Sequence, residues 1–287
     1  LAQPVVIELP CALAANAACG DPSNQSIVLR GASACPPGSF TTIATPTANN
    51  YTDSPNHGIF CYEVQGKLGN WTSQPGNQQT VTVYQLPALI QTDYNSAASA
   101  TGVNASFSSN PVAGHLLVAI LGANASVTIS QPSGWSTVIN ESGTVSQAIF
   151  YKIAAGSSDR SVSVSVSAAT RLGLSILEYS GIASSSELDQ TVSATGHSAV
   201  IEYGSVTTTQ TVEVLVAAAM FSGNTKITGY ASPFVMEIDF NNKGQDKSDF
   251  SVADHIATTI GTYTTSATQG GSVADWRAQI ATFKASP

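Results

Sequence analysis

The sequence predicts an all-β protein of two successive domains, and three observations carry that reading. Helical periodicity is nearly absent, and only Cys11–Cys19 (CALAANAAC) has the composition of a turn or two of helix. Strict alternation is frequent, most clearly in Ser161–Ser167 (SVSVSVS), which sets valines on one face and serines on the other. Turn signals punctuate the runs at Asn110-Pro111, at Gln131–Gly134 (QPSG), at Gly156–Asp159 (GSSD), at Gly223-Asn224 and at Gln269–Gly271 (QGG).

The first element is the apolar strand Pro4–Leu9, whose alternation places Val5, Ile7 and Leu9 on one face and Val6 and Glu8 on the other. Ser26–Arg30 and Phe40–Thr45 add two strands, Asn50–Asp53 a short one, and Gly58–Val83 a pair. A seven-stranded sandwich needs two strands ahead of Ile27, and one is visible. The first domain, 1–86, is therefore expected to be one strand short. A missing strand leaves an apolar slot and an unpaired edge, which invites a strand from another chain.

Alternation lapses over 87–102, where Asn95–Gly102 (NSAASATG) suggests a linker. The second domain, 103–287, follows. Its strands are expected at His115–Leu121, Val127–Ser130, Ala148–Ile153, Ser161–Ser167, Leu172–Tyr179, Val200–Tyr203, Val212–Ala218, Val235–Phe240 and Trp276–Phe283. No internal repeat is visible, which speaks against a solenoid or propeller.

Composition narrows the function classes. Apolar residues make up 43% of the 287, enough for folded cores, while charged residues are only 10%, well below an ordinary soluble domain. So little charge suggests a surface covered by neighbours or by glycans. The net charge of -8 and the scattered lysines and arginines argue against nucleic acid as a partner. No apolar stretch is long enough for a helical membrane span. A chain that begins at Leu1 without a Met fits a secreted protein after signal cleavage.

All four cysteines, Cys11, Cys19, Cys35 and Cys61, lie in the first domain, which suggests two disulfides and an oxidising compartment. Three pairings exist. Cys11–Cys19 with Cys35–Cys61 is favoured, because the first closes a short loop and the second ties a loop to a strand. No Cys-x-x-Cys pair points to zinc, and no cofactor is expected.

Catalytic signatures are weak. Gly-x-Ser-x-Gly does not occur, and His57, His115, His197 and His255 have no recognisable partner in sequence. Glu178, Asp189 and Glu202 are the carboxylates to weigh for glycoside hydrolysis. The plainer reading has Glu178 capping a neighbouring backbone group or pairing with Arg171 or Arg277. Asp239–Gly244 (DFNNKG) has the outline of a calcium loop, but Lys243 takes a ligand position and Phe250 stands where a bidentate Glu belongs. Asp246, Asp249 and Asp254 are the remaining acids there. Trp71, Trp135 and Trp276 are dispersed and read as packing residues rather than a sugar platform. Asn-x-Ser/Thr sequons stand at Asn24, Asn50, Asn70, Asn104, Asn124 and Asn140.

Two resemblances follow from these segments. Ile27–Gly31 (IVLRG), Gly38–Thr45 (GSFTTIAT), Asn50–Asp53 (NYTD) and Gly58–Val64 (GIFCYEV) resemble, in order, a fibronectin type III or immunoglobulin-like module lacking its usual first two strands and core Trp. Gly114–Ala119 (GHLLVA), Ser133–Trp135 (SGW), Gln147–Lys152 (QAIFYK), Ile176–Gly181 (ILEYSG), Leu188–Gln190 (LDQ) and Asp275–Phe283 (DWRAQIATF) resemble an uncharacterised jelly-roll-like module of bacterial secreted and surface proteins. The second implies fold and a secreted or cell-surface location, with no settled activity. As a whole, the expectation is a non-enzymatic subunit of an extracellular filament. It would assemble head-to-tail with its own copies by β-strand exchange through Val5, Ile7 and Leu9. The alternative is a cell-surface carbohydrate-binding or adhesive module.

Overall fold

Apart from one short 3₁₀ turn at Ser157–Asp159, every regular element among the described residues is a β-strand, and the strands form antiparallel sheets. The computed structural model describes residues 4–9, 24–48, 50–222, 227–239, 249–270 and 273–287. The chain divides into two units, 1–86 together with Ser286 and Pro287, and 87–285.

The first unit contains β1 (Val5–Glu8), β2 (Asn24–Gly31), β3 (Thr41–Ala44), β4 (Asn50–Asp53), β5 (Gly58–Leu68), β6 (Trp71–Thr72) and β7 (Gln79–Val83). One sheet runs β3-β2-β5, with β6 and β7 sharing the far edge of β5. The other holds β1 and β4 alone. β1 and β4 thus form a two-stranded layer, while β3, β2, β5 and β7 stand side by side in the wider sheet. The edge of β1 away from β4 is paired with no strand among the described residues.

The second unit begins with β8 (Ala88–Ser106), which occupies the segment expected to be a linker. Its small, polar residues have weak strand propensity, but β8 pairs with β13 (Ser161–Ser180) along nearly its whole length, and that partner decides its conformation. Between them lie β9 (Leu116–Ala123), β10 (Ile129–Ser130), β11 (Ser136–Glu141) and β12 (Ser146–Ile153). The later strands are β14 (Leu188–His197), β15 (Val200–Thr207), β16 (Glu213–Phe221), β17 (Ile227–Tyr230), β18 (Val235–Asp239), β19 (Asp249–Ala257), β20 (Thr262–Gln269) and β21 (Asp275–Lys284).

These strands form two copies of one topology, where the sequence suggested a single jelly roll over 103–287 and no repeat. In the first copy the N-terminal half of β8 pairs with the C-terminal half of β13, followed by β9, β12 and β11. The other halves of β8 and β13, with β10, make a second layer folded over the first, and register shifts at Ser165–Leu172 mark the bend. In the second copy the order β14-β21-β16-β19-β18 faces β15-β20-β17. Each copy therefore has eight strand segments in the order 1-8-3-6-5 over 2-7-4, the wrapped arrangement of a jelly roll.

Three apolar clusters hold this stack. Valines 162, 164 and 166 of the folded-over layer pack with Leu117, Ala119, Leu121 and Phe150 inside the first roll. Tyr203, Leu215, Ala217, Phe221 and Trp276 fill the second roll. Between the rolls, Leu116, Val118, Ile120 and Ile149 meet Val214, Val216, Met220, Phe250 and Val252. β9 and β16 are thus apolar on both faces, as buried central strands must be.

Candidate assembly edge

The edge of β1 is built by alternation and by one buried polar knot. β1 runs antiparallel to β4, with Val5 opposite Asp53 and Ile7 opposite Tyr51. Cross-strand partners point to the same face, so Val5, Ile7, Tyr51 and Asp53 turn together toward the wider sheet, with buried Leu9 just beyond. Val6 and Glu8 face outward, and Val6 is 65% exposed. The Asp53 carboxylate accepts from Arg30 Nη1 of β2 at 2.7 Å and from Tyr62 Oη of β5 at 2.8 Å. Burial and that hydrogen bond push the Tyr62 hydroxyl well above its ordinary pKa, so it stays a donor. The Arg30 guanidinium also lies 5.3 Å from the centre of the Phe60 ring.

Little apolar surface accompanies this knot. Leu9, Val28, Tyr62 and Val83 are buried, but Val5, Ile7, Tyr51, Phe60, Val64 and Val81 are only half-covered. The cause is geometric: a two-stranded layer is too narrow to roof a sheet of twice its width. The Cys35–Cys61 disulfide pins the loop after β2 to β5 across 26 residues. Loop closure over that separation stabilises the unit by about 3.5 kcal/mol in the chain-entropy account. Cys11 and Cys19 lie outside the described residues.

The sequon asparagines separate by hydrogen bonding and not by exposure, since Asn104 and Asn140 are exposed like Asn50 and Asn70. Asn104 Nδ2 donates to Val162 O at 3.1 Å, Asn124 Nδ2 to Ser222 O at 3.3 Å and Asn140 Nδ2 to Ile129 O at 2.9 Å. Asn50 is exposed within β4, and Asn70 is exposed at the turn between β5 and β6. Asn24 opens β2, and its side chain is not among those described.

The carboxylates weighed for catalysis do not converge. Glu178 is fully buried and accepts from Gln91 Nε2 at 2.6 Å, the Val112 backbone N–H at 2.9 Å and His115 Nδ1 at 2.6 Å. It latches the loop before β9 and pairs with neither Arg171 nor Arg277. Arg277 instead pairs with Glu141 and donates to the carbonyls of Ser142 and Val145. Asp189 meets Lys284 and Thr209. Burial pushes that carboxyl up, but these donors outweigh it and hold the pKa down to about 2. Glu202 is exposed on β15.

The histidines have partners that local sequence hides. His115 holds Glu178, His197 Nδ1 meets Asp275 at 2.8 Å, His57 Nδ1 meets Pro287 O at 2.9 Å, and His255 lies between the rings of Phe234 and Tyr263. Trp135 and Trp276 are buried in the cores of the two rolls. Residues 240–248, most of the calcium-like loop, lie outside the described residues. Asp254 is turned into the interior, where it accepts from Tyr179 Oη at 2.8 Å. Of the knot at β1, only Asp53 left a trace in sequence: an acid on the inward phase of Asn50–Asp53.

Neither a known protein family nor a curated protein matches the chain. Among solved structures, one of infectious bursal disease virus, Gx strain, aligns at 10% identity over 99% of this chain, with a TM-score of 0.15. The alignment spans 64% of the viral chain, and at that score it carries no structural or functional inference.

Proposed function

We propose that the chain is a non-enzymatic structural subunit of an extracellular filament, in which a strand from one copy adds to the outer edge of β1 in the next. One observation supports this above others: the two-stranded sheet of the first unit lacks a described strand beside β1, over a half-covered apolar face. The sequence left the direction of exchange open: Val5–Leu9 is either the strand given away or the native strand beside the slot that receives one. With β1 paired to β4 of its own unit, Val5, Ile7 and Leu9 are resident in this reading, and the incoming strand takes the vacant place beside them. Donor and acceptor are then different surfaces, so the contact is head-to-tail and propagates as an open helix. The disulfide fits an oxidising, extracellular setting, and the low charge reduces repulsion between stacked copies.

Two substitutions and negative-stain microscopy test the proposal. Val6→Lys puts a charge on the exposed face of the edge strand, where natural proteins place lysines to block edge pairing. It should stop filament growth while changing monomer stability by no more than about 0.5 kcal/mol. Ile7→Asp puts a charge on the inward face; it should also stop filaments and lower the stability of the first unit. Unchanged filaments from both variants would sink the proposal.

A further inference from the structure

We infer that Asn70 is a site of N-linked glycosylation, and that the fold excludes the other sequons with a described side chain. The modification is separate from strand addition at β1. Asn70-Trp71-Thr72 sits at the tip of a hairpin, where Leu68 pairs with Trp71 across a loop of Gly69 and Asn70. Gly69 has φ +60°, the left-handed value that a two-residue hairpin loop requires at its first position. Asn70 is exposed there, and no hydrogen bond engages its carboxamide among the described residues.

The remaining sequons are tied into the fold. Asn104, Asn124 and Asn140 each commit the nitrogen that would carry the sugar to a backbone carbonyl. Asn50, Tyr51 and Thr52 all pair with β1, so presenting that sequon to a transferase would strip the strand away. Asn24 to Ser26 are paired in the same way with β5. Freeing Asn70 disturbs only the two-residue β6.

The donor is a sugar linked through phosphate to a polyprenyl lipid, and a transferase is required. Asn70 Nδ2 forms a bond to the anomeric carbon, and the bond from that carbon to the phosphate oxygen breaks. The electron pair leaves with the lipid phosphate, and the amide proton passes to a base of the transferase. An oxidising compartment, indicated by the Cys35–Cys61 bridge, is where such transfer takes place.

The test is glycopeptide mass spectrometry on the full chain purified from its native source, beside the Asn70→Gln variant made in the same cells. Intact mass should exceed the sequence mass, the excess should map to the peptide containing Asn70, and the variant should lose it completely. The variant should keep the melting temperature of its deglycosylated parent, because the side chain is at an exposed turn. An unmodified Asn70, or a glycan on Asn50, Asn104, Asn124 or Asn140, would overturn the inference.

Discussion

At the scale of single residues, the second unit holds buried carboxyls whose surroundings move them in opposite directions. Burial raises the pKa of Glu178, but donors from Gln91, the Val112 N–H and His115 outweigh it and hold the carboxyl below its ordinary range. Burial raises that of Asp254, the Tyr179 hydrogen bond offsets only part of the effect, and neighbouring Glu237 is raised as well by burial and by the Asp254 charge. The stability consequences differ in sign. A depressed carboxyl contributes stability above its unfolded pKa of about 4.3, lost as the pH falls through the folded value. A raised one contributes fully below its unfolded pKa of about 3.9 and loses that contribution as the pH rises through the folded value. Asp254→Asn should therefore raise the melting temperature at neutral pH and leave it unchanged in strong acid. Glu178→Gln should cost about 1.5–3 kcal/mol at neutral pH, with the difference vanishing in acid. Thermal melts of both variants across pH check the pair, and parallel profiles would contradict the assignment. None of this was legible in sequence, because Glu178 and His115 are 63 positions apart and Tyr179 and Asp254 are 75.

At the scale of elements, the facing sheets of the two rolls meet through matched strands with unmatched side chains. Gly122 of β9 lies against Met220 of β16 and Phe250 of β19, and a Cβ at Gly122 would come within 2.8 Å of both. Gly122→Ala should cost about 1–3 kcal/mol as overpacking. Adding Met220→Ala should recover part of that loss, read as favourable coupling in a double-mutant cycle by chemical denaturation; additive losses would show that the sheets can slide apart. The same strands explain what the sequence showed and hid. β9, β12, β16 and β21 were visible because apolar residues on two buried faces make continuous runs. β8, β14 and β20 were missed, since Ser, Thr and Ala on their outward faces blur the alternation, and β11, β17 and β19 were missed as well. The duplication was hidden for a related reason. What repeats is the direction of burial, with Leu117, Ala119 and Leu121 answering to Leu215, Ala217 and Ala219, and burial tolerates many residue types. At the edge of β1, the Val5, Ile7 and Leu9 phase was plain from Pro4–Leu9 alone, but its pairing with β4 depends on residues more than forty positions away.

At the scale of the whole molecule, the two rolls share a topology without sharing continuity. In the first, β8 and β13 each run unbroken through both layers. In the second, the matching paths are interrupted: β14 ends at His197 before β15 begins at Val200, and β20 ends at Gln269 before β21 begins at Asp275. An interrupted path lets one layer lose its hydrogen bonds without unzipping the strand that continues into the other. Amide hydrogen exchange should therefore find the β15-β20-β17 layer opening on its own, with faster exchange than the β14-β21-β16 layer beneath it. The valines and serines of Ser161–Ser167 should exchange together with Leu172–Tyr179, as one cooperative block. Equal protection of the two outer layers would refute this. The long strands β8 and β13 thus make the first roll a single unit of unfolding, while the second, nearly its twin in outline, carries a leaf that opens before the rest.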